Sequence, residues 1–430
     1  MLSVSKKSFA GKMLGVALAS LSVAGVARAE VKLQVAYSNA SVFKAVQEDI
    51  AAKFMAQQPN IKIEFRNPAT SYEELAQQLM RDKITNSLPD VAFNGINQLG
   101  LFVDQKLPVA LDTYAQADGG MEKLGYQPAL TALGKKNGKQ YGVPFGVSMP
   151  LVYVNTDLLA KAGQDAGALT SWPAIVAAGQ AVDQKIGGTA NGFYFDWEQT
   201  GNWLFQSLVT SNGGKMLADN QCDIAFDDAH GMAALKTLES FHAGGMKNLG
   251  QAAGRQAFVA GNVGIWVSSS GFASTAEKMI GDKFKLKTLA FPVGEQNPHL
   301  PGGGAMVMVL STDNARQKAA WEYVKFATGG VGQAIMAQGT GYMPVNEAAV
   351  NTPELMGNYY KQFPNQAMAL KQLPLLTEWV SYPGSNSLKM IEVIKGYTEG
   401  LINGSKTAEQ TMPALVKDVR ALLPQCSSGK

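Results

Sequence analysis

Flat aromatic side chains and short hydroxyl or amide groups are the residues here whose types best fit a chemical task. Trp197, Trp203, Trp266, Trp379, Tyr342 and Tyr382 offer ring faces, and Ser38, Ser148, Ser268, Ser269, Asn94, Asn97 and Asn386 offer groups that donate and accept. A molecule with hydroxyls around its edge and apolar C–H faces needs both kinds of surface, so the set suits noncovalent capture of an oxygen-rich solute. Each residue also has a structural reading: tryptophan packs, asparagine turns and serine caps helices. Trp321 belongs to a helical face after Asp313 and reads as packing, whereas Trp266 opens the polar turn WVSSSG at the end of an apolar run and is favoured as a plate. Ser268, Ser269, Ser270 and Gly271 either present hydroxyls and N–H groups to an oxygen-rich or anionic ligand or cap their own helix. Gly302, Gly303 and Gly304 permit close backbone approach to a ligand, or a hinge with unusual dihedrals; no Lys-Ser/Thr follows them, so they are not a phosphate loop. Gly330-Val331-Gly332 is followed by Ile335 where a dinucleotide fingerprint needs glycine or alanine, and is set aside.

Catalytic patterns are sparse. Gly146-Val147-Ser148-Met149-Pro150 places proline where a nucleophile elbow needs its second glycine, and His230, His242 and His299 stand in no recognisable catalytic context. There is no HExxH and no close His/Cys cluster, so neither a metal nor a cofactor is expected. A secreted glycoside hydrolase remains the competing reading, because its two carboxylates need not be adjacent in sequence.

The first 29 residues read as an export signal: Lys6, Lys7 and Lys12, then the apolar run of residues 13–27, then Ala27-Arg28-Ala29 before Glu30. The run is shorter than the ~20 residues a membrane-spanning helix needs. Cleavage removes four of the 37 basic residues and leaves 33 against 34 acidic ones, so the mature charge is close to −1 and implies no nucleic-acid face. About 400 mature residues exceed what one core supports, which implies two domains. Cys222 and Cys426 are the only thiols; an oxidising compartment permits a bridge, but the pair forms no disulfide framework.

The elements that must position these groups alternate from the mature start. Val31, Leu33 and Val35 alternate as a strand; Phe43, Val46, Ile50 and Phe54 recur at helical spacing; Ile61, Ile63 and Phe65 alternate again; a second helix runs through Leu75 and Leu79 to a short run at Val91–Phe93. This βαβαβ order implies a parallel sheet with helices on its faces and a ligand site beyond the strands' carboxyl ends, at Tyr37–Asn39, Asn67–Tyr72 and Asn94–Asn97. Two later stretches rich in Gly, Pro and β formers, from Gly138 and from Gly294, read as chain passages between lobes. The expected architecture is α/β with two lobes: residues 30–143 and 287–340 in the first, 144–286 and 341–430 in a more helical second.

Three groups of residues then carry a family resemblance: YGVPFGVSMPLVYVNTDLLAKAG (141–163), AFVAGNVGIWVSSSG (257–271), and PGGGAMVMV (301–309) with TGYMPVNEAA (340–349). In this order and spacing the chain resembles the family 1 solute-binding proteins of ABC sugar importers, over essentially the whole mature length. The resemblance implies the two-lobed periplasmic binding fold, a hinged cleft closing on one small carbohydrate or polyol, and delivery as a monomer to the ABC permease. Within the family it is most similar to the glycerol-3-phosphate-binding branch. That likeness assigns Tyr72 and Glu73, Ser148, Gly303 or Gly304, and Tyr342 to ligand binding. From its own chemistry Glu73 either accepts hydrogen bonds from two ligand hydroxyls or favours the N-terminus of its helix. The branch's phosphate-binding arginine aligns near Ile391; Lys389 is close in register but lacks the planar fork. The departure puts a phosphomonoester in doubt and leaves a neutral sugar, polyol or glycoside equally open.

Overall fold

The computed structural model describes residues 1–5, 30–188 and 190–425; the body of the export segment and Cys426 lie outside them. The mature chain opens with β1 (Val31–Tyr37), α1 (Ala40–Gln57), β2 (Ile61–Phe65), α2 (Tyr72–Ile84) and β3 (Val91–Gly95). Phe43, Val46, Ile50 and Phe54 form the buried side of α1, as their spacing requires. β1 pairs in parallel with both neighbours, Val31 opposite Ile61 and Val35 opposite Val91. Each helix returns the chain to the start of the next parallel strand, so the loops after β1, β2 and β3 gather at one end of the sheet. α2 begins there: the Ser71 hydroxyl accepts the Glu74 N–H at 3.1 Å, and Glu73 and Glu74 in the first turn complement the positive end of the helix dipole.

Short ladders apart, the remaining strands are β4 (Val143–Ser148), β5 (Pro150–Asn155), β6 (Asn191–Phe195), β7 (Val263–Ser269), β8 (Leu286–Ala290) and β9 (Gly303–Val309). The helices used below are α3 (Trp203–Thr210), α4 (Gln251–Val259), α5 (Ala273–Ile280), α6 (Asn314–Thr328), α7 (Gly330–Thr340) and α8 (Ser387–Ile402). Two sheets result, ordered β2-β1-β3-β9-β4 and β8-β5-β7-β6, and each forms the centre of one lobe. β9 lies antiparallel between β3 and β4, so the first sheet is closed by two strands remote in sequence.

Strand pairing corrects the lobe boundaries read from sequence. Residues 144–148 complete β4 in the first sheet, and 287–290 belong to β8 in the second. The first passage is therefore the single residue Met149, and the second runs from Phe291 to Gly302. Beyond α7, Met343 pairs with Val147 and Asn346 with Tyr126, which keeps this stretch with the first lobe rather than the second. Gly and Pro mark where a chain changes direction, but hydrogen-bond partners decide which sheet a strand joins, and those partners lie far away in sequence.

Trp266 is also corrected. It is the middle residue of β7, paired with Tyr153 on β5 and Tyr194 on β6, and is fully buried. Its ring stacks on Tyr153 at 4.8 Å and packs against Phe258 and Phe272. A ring in mid-strand, with strands on both sides, cannot reach the strand end where a ligand sits. Cys222 is disulfide-bonded, and its neighbour Asp223, with Asp227, is tied to Arg420 near the C-terminus at 2.7 and 2.6 Å.

Candidate ligand site between the lobes

A cavity of about 220 Å³ lies between the lobes, at the carboxyl ends of β1 and β2 on one side and of β7 on the other. A larger hollow of about 670 Å³ is lined by Trp379 with Leu99, Leu130, Leu133 and Leu376 and with Gln127, Lys135 and Lys136. In the smaller cavity the first lobe contributes Asn39, Tyr72 and Glu73. The second contributes Gln199, Gln251, Arg255, Ser268, Ser269 and Phe272, and α8 adds Ile391, Glu392 and Lys395.

One buried carboxylate orders the second lobe's wall. Asp196 follows β6 and accepts hydrogen bonds from Ser268 Oγ at 2.9 Å, Gln199 Nε2 at 2.8 Å and Gln251 Nε2 at 3.3 Å. Three flexible polar side chains are thereby fixed at the cavity surface. Burial pushes the Asp196 carboxyl above its ordinary range, while the Arg255 charge and then these donors pull the other way. Because folding raises this group, its contribution to stability is present below the unfolded carboxylate range and is lost as pH rises through the raised value. The stability of the parent relative to Asp196→Asn should therefore rise as pH falls through the raised value toward the ordinary carboxylate range, as urea unfolding at several pH values would record. A difference that stays flat or falls would contradict the buried-charge account.

Glu73 spans the cleft. Its carboxylate, on the first turn of α2, accepts the Thr200 hydroxyl at 2.5 and 2.6 Å and the Gly201 N–H at 2.8 Å, both from the loop that leads into α3 in the second lobe. Trp379 closes the same seam: its ring lies 6.5 Å from Tyr72 and 6.3 Å from Trp203, and its indole N–H reaches the Gly201 carbonyl at 3.4 Å. Beside Glu73, burial raises the Tyr72 hydroxyl well above an ordinary phenol, with the nearby Tyr342 adding to the effect. Tyr342 lies against Phe43 at 5.4 Å and over Gly271, where a Cβ would come within 2.4 Å of its ring.

Of the residues singled out from sequence, Tyr72, Glu73, Ser268, Ser269, Gly271 and Tyr342 line this cavity. Ser38 is buried behind it and its neighbour Asn39 reaches the lining instead. Asn94 is buried with its oxygen on the Gly95 N–H, and Asn97 is buried against Gly201 in the interlobe seam. Ser148, Trp203 and Gly303 pack together behind the site: a Cβ on Gly303 would meet the Trp203 ring at 2.7 Å and the Ser148 hydroxyl at 3.0 Å, and the Trp203 N–H is spent on the Pro301 carbonyl at 2.8 Å. Trp197 is buried and donates to Asn248 at 3.0 Å, and Tyr382 is buried outside the lining. Asn386 is exposed and holds the Leu422 carbonyl at 3.0 Å. Lys389 is not on the cavity side of α8; Ile391, Glu392 and Lys395 are.

Gly304 is required by packing. It has φ +127°, and a Cβ would stand 2.1 Å from the Gly146 carbonyl on β4. Gly304→Ala should cost roughly 2–4 kcal/mol through strain and overpacking where β9 meets β4, seen as a lower denaturant midpoint. An unchanged midpoint would contradict this geometry.

Arg255, Gln199, Thr200, Gln251 and Asp196 were not legible in the sequence. They lie in segments with no motif, and only folding brings them to one wall. Among the described residues no cluster of His, Cys, Asp and Glu fit to hold a metal is present.

Two α/β lobes on separate sheets, joined by several chain passages and enclosing a polar cavity, define a cleft-type binding protein. The chain belongs to the bacterial extracellular solute-binding proteins, whose family model matches residues 49–364. It is 27% identical over 318 residues to the sn-glycerol-3-phosphate-binding periplasmic protein UgpB of Agrobacterium fabrum, covering 69% of this chain and 70% of that protein. It is 22% identical over 426 residues to a putative binding protein of Brucella abortus, covering 96% and 99%. Its fold matches UgpB of Mycobacterium tuberculosis in complex with glycerophosphocholine (TM-score 0.81, 21% identity, 91% of this chain and 98% of that one). It also matches maltose-bound MalE3 of T. maritima (TM-score 0.79, 19% identity, 91% and 100%). This is a family of non-enzymatic transport components, so the glycoside-hydrolase reading is withdrawn.

Proposed function

We propose that the protein is the periplasmic binding component of an ABC importer, acting as a monomer that captures one small sugar, polyol or polyol ester between its lobes and hands it to the membrane permease. The observation that carries this reading is the cavity itself, with Tyr72 and Glu73 from one lobe facing Ser268, Ser269 and Gln199 from the other. Groups fixed on both lobes favour the closed form only when something bridges them, so a solute shifts the population by its differential affinity for that form. The export signal read at the N-terminus supports work outside the cytoplasm, and among the described residues no helix is long and apolar enough to cross a membrane. Relatives named for sn-glycerol 3-phosphate, glycerophosphocholine and maltose support an oxygen-rich ligand.

Calorimetric titration of the mature chain with sugars, polyols and their phosphates, followed by mass spectrometry of the released compound, tests the proposal. Saturable binding with the compound recovered unchanged is expected. Recovery of a cleaved or modified compound would overturn it.

A further inference from the structure

The cavity holds one guanidinium with no partner. Arg255 projects from α4 with its Cζ 4.3 Å from the centre of the Phe272 ring, and its Nε is buried without a hydrogen bond. Among the described residues it makes no ion pair. Asp196 acts on it only through space, because that carboxylate is already occupied by Ser268, Gln199 and Gln251. The other cation in the lining is differently placed: Lys395 stands 3.9 Å from Glu198. Phe272 in turn rests on Trp266, 5.9 Å away and edge to face, so the arginine is supported from below by the second lobe's core while its N–H fork stays unspent.

A half-buried cation with unfilled donors is costly unless something supplies the missing acceptors. The planar fork matches a phosphate or carboxylate with two parallel bonds. Tyr72, its buried hydroxyl coupled to that of Tyr342, and Ser269 line the same cavity as Arg255. Resting on the solute-capture reading above, we propose that Arg255 is the anion anchor of the cleft, and that the captured solute is a compact polyol or sugar carrying an acidic oxyanion group. The charge expected on α8, near Ile391, is supplied instead from α4. At about 220 Å³ the cavity is smaller than the ~300–1,000 Å³ of drug-sized pockets, which favours a small polyol acid or ester over an oligosaccharide.

Matched compounds test this on the mature chain: glycerol against glycerol phosphate, and galactose against galacturonate, titrated by calorimetry at low and high salt. An anionic member of a pair should bind at least tenfold more tightly than its neutral partner, with the preference shrinking as salt rises. The phosphate and carboxylate arms distinguish the two sources of the anion. Arg255→Gln should lose about 10- to 100-fold in affinity for the anion and Arg255→Lys less, while the ligand-free Arg255→Gln protein, which gives up only the contact with the Phe272 ring and the through-space attraction to Asp196, still unfolds in one cooperative transition. Tight binding of a neutral compound that Arg255→Gln leaves unchanged would overturn the anchor and leave solute capture standing. Failure of every anionic compound to bind would overturn it as well, whereas chemical turnover of a bound compound would sink solute capture itself.

Discussion

Alanine at Trp266 should lower the stability of the second lobe by about 3–5 kcal/mol and its melting temperature by roughly 6–20 °C. The ring is fully buried at the centre of β7, stacked on Tyr153 and in contact with Phe258 and Phe272, so its removal leaves a large void among rigid aromatic neighbours. Trp266→Phe should recover much of the loss, because most of the contact area is restored. A residue that formed a plate in the ligand site would behave differently: affinity would fall and the unfolding transition would barely move. Differential scanning calorimetry and ligand titration on the same variant separate the two. An unshifted transition with a collapsed affinity would return Trp266 to the cleft.

A second large effect is expected at Glu73. Its carboxylate receives the Thr200 hydroxyl and the Gly201 N–H from across the interface, and hydrogen bonds to a charged group contribute about 1.5–3 kcal/mol each in favourable settings. Glu73→Ala should therefore disfavour the closed arrangement by a factor of about 100 to 10,000. Where the closed form is the minority in free protein, ligand affinity falls by the same factor. Small-angle scattering of the ligand-free variant should show a larger radius of gyration than the parent wherever the parent closes unaided. Glu73→Gln, which retains one acceptor oxygen, should fall between the two. This measurement also separates the two chemical readings of the residue. Where the parent closes unaided, weakened binding with identical ligand-free scattering would make Glu73 a ligand acceptor rather than an interlobe latch, and unchanged values of both would remove it from the mechanism.

These two residues show how local sequence and tertiary context divide the argument. WVSSSG reads as a polar turn opened by an aromatic plate; the chain turns only at Ser270–Phe272, while Ser268 and Ser269, the last residues of β7, line the cavity. Trp266 fails because its position within the strand, and the strands on both sides of it, depend on β5 and β6 far away in sequence. Tyr72 lay in the stretch after the second strand, and the pair Tyr72-Glu73 was assigned through the likeness to the glycerol-3-phosphate-binding branch; both stand on the first turn of a capped helix at the ligand-bearing edge of the sheet. Arg255 was not legible, since nothing around it signals a site; it matters through what it lacks, a partner, and a partner is a property of the folded neighbourhood.

The sequence by itself determined the alternation of strands and helices at the mature start, the buried side of α1, the two-lobed α/β class and the absence of recognisable catalytic patterns. Periodicity and turn chemistry act over a few residues and are written locally. Only the tertiary structure decided where the chain passes between lobes, which aromatic rings pack and which face the cleft, and which charge is left free to meet a ligand. Each of those depends on groups hundreds of residues apart arriving within a few ångströms, where burial and hydrogen-bond satisfaction, rather than local pattern, set the outcome.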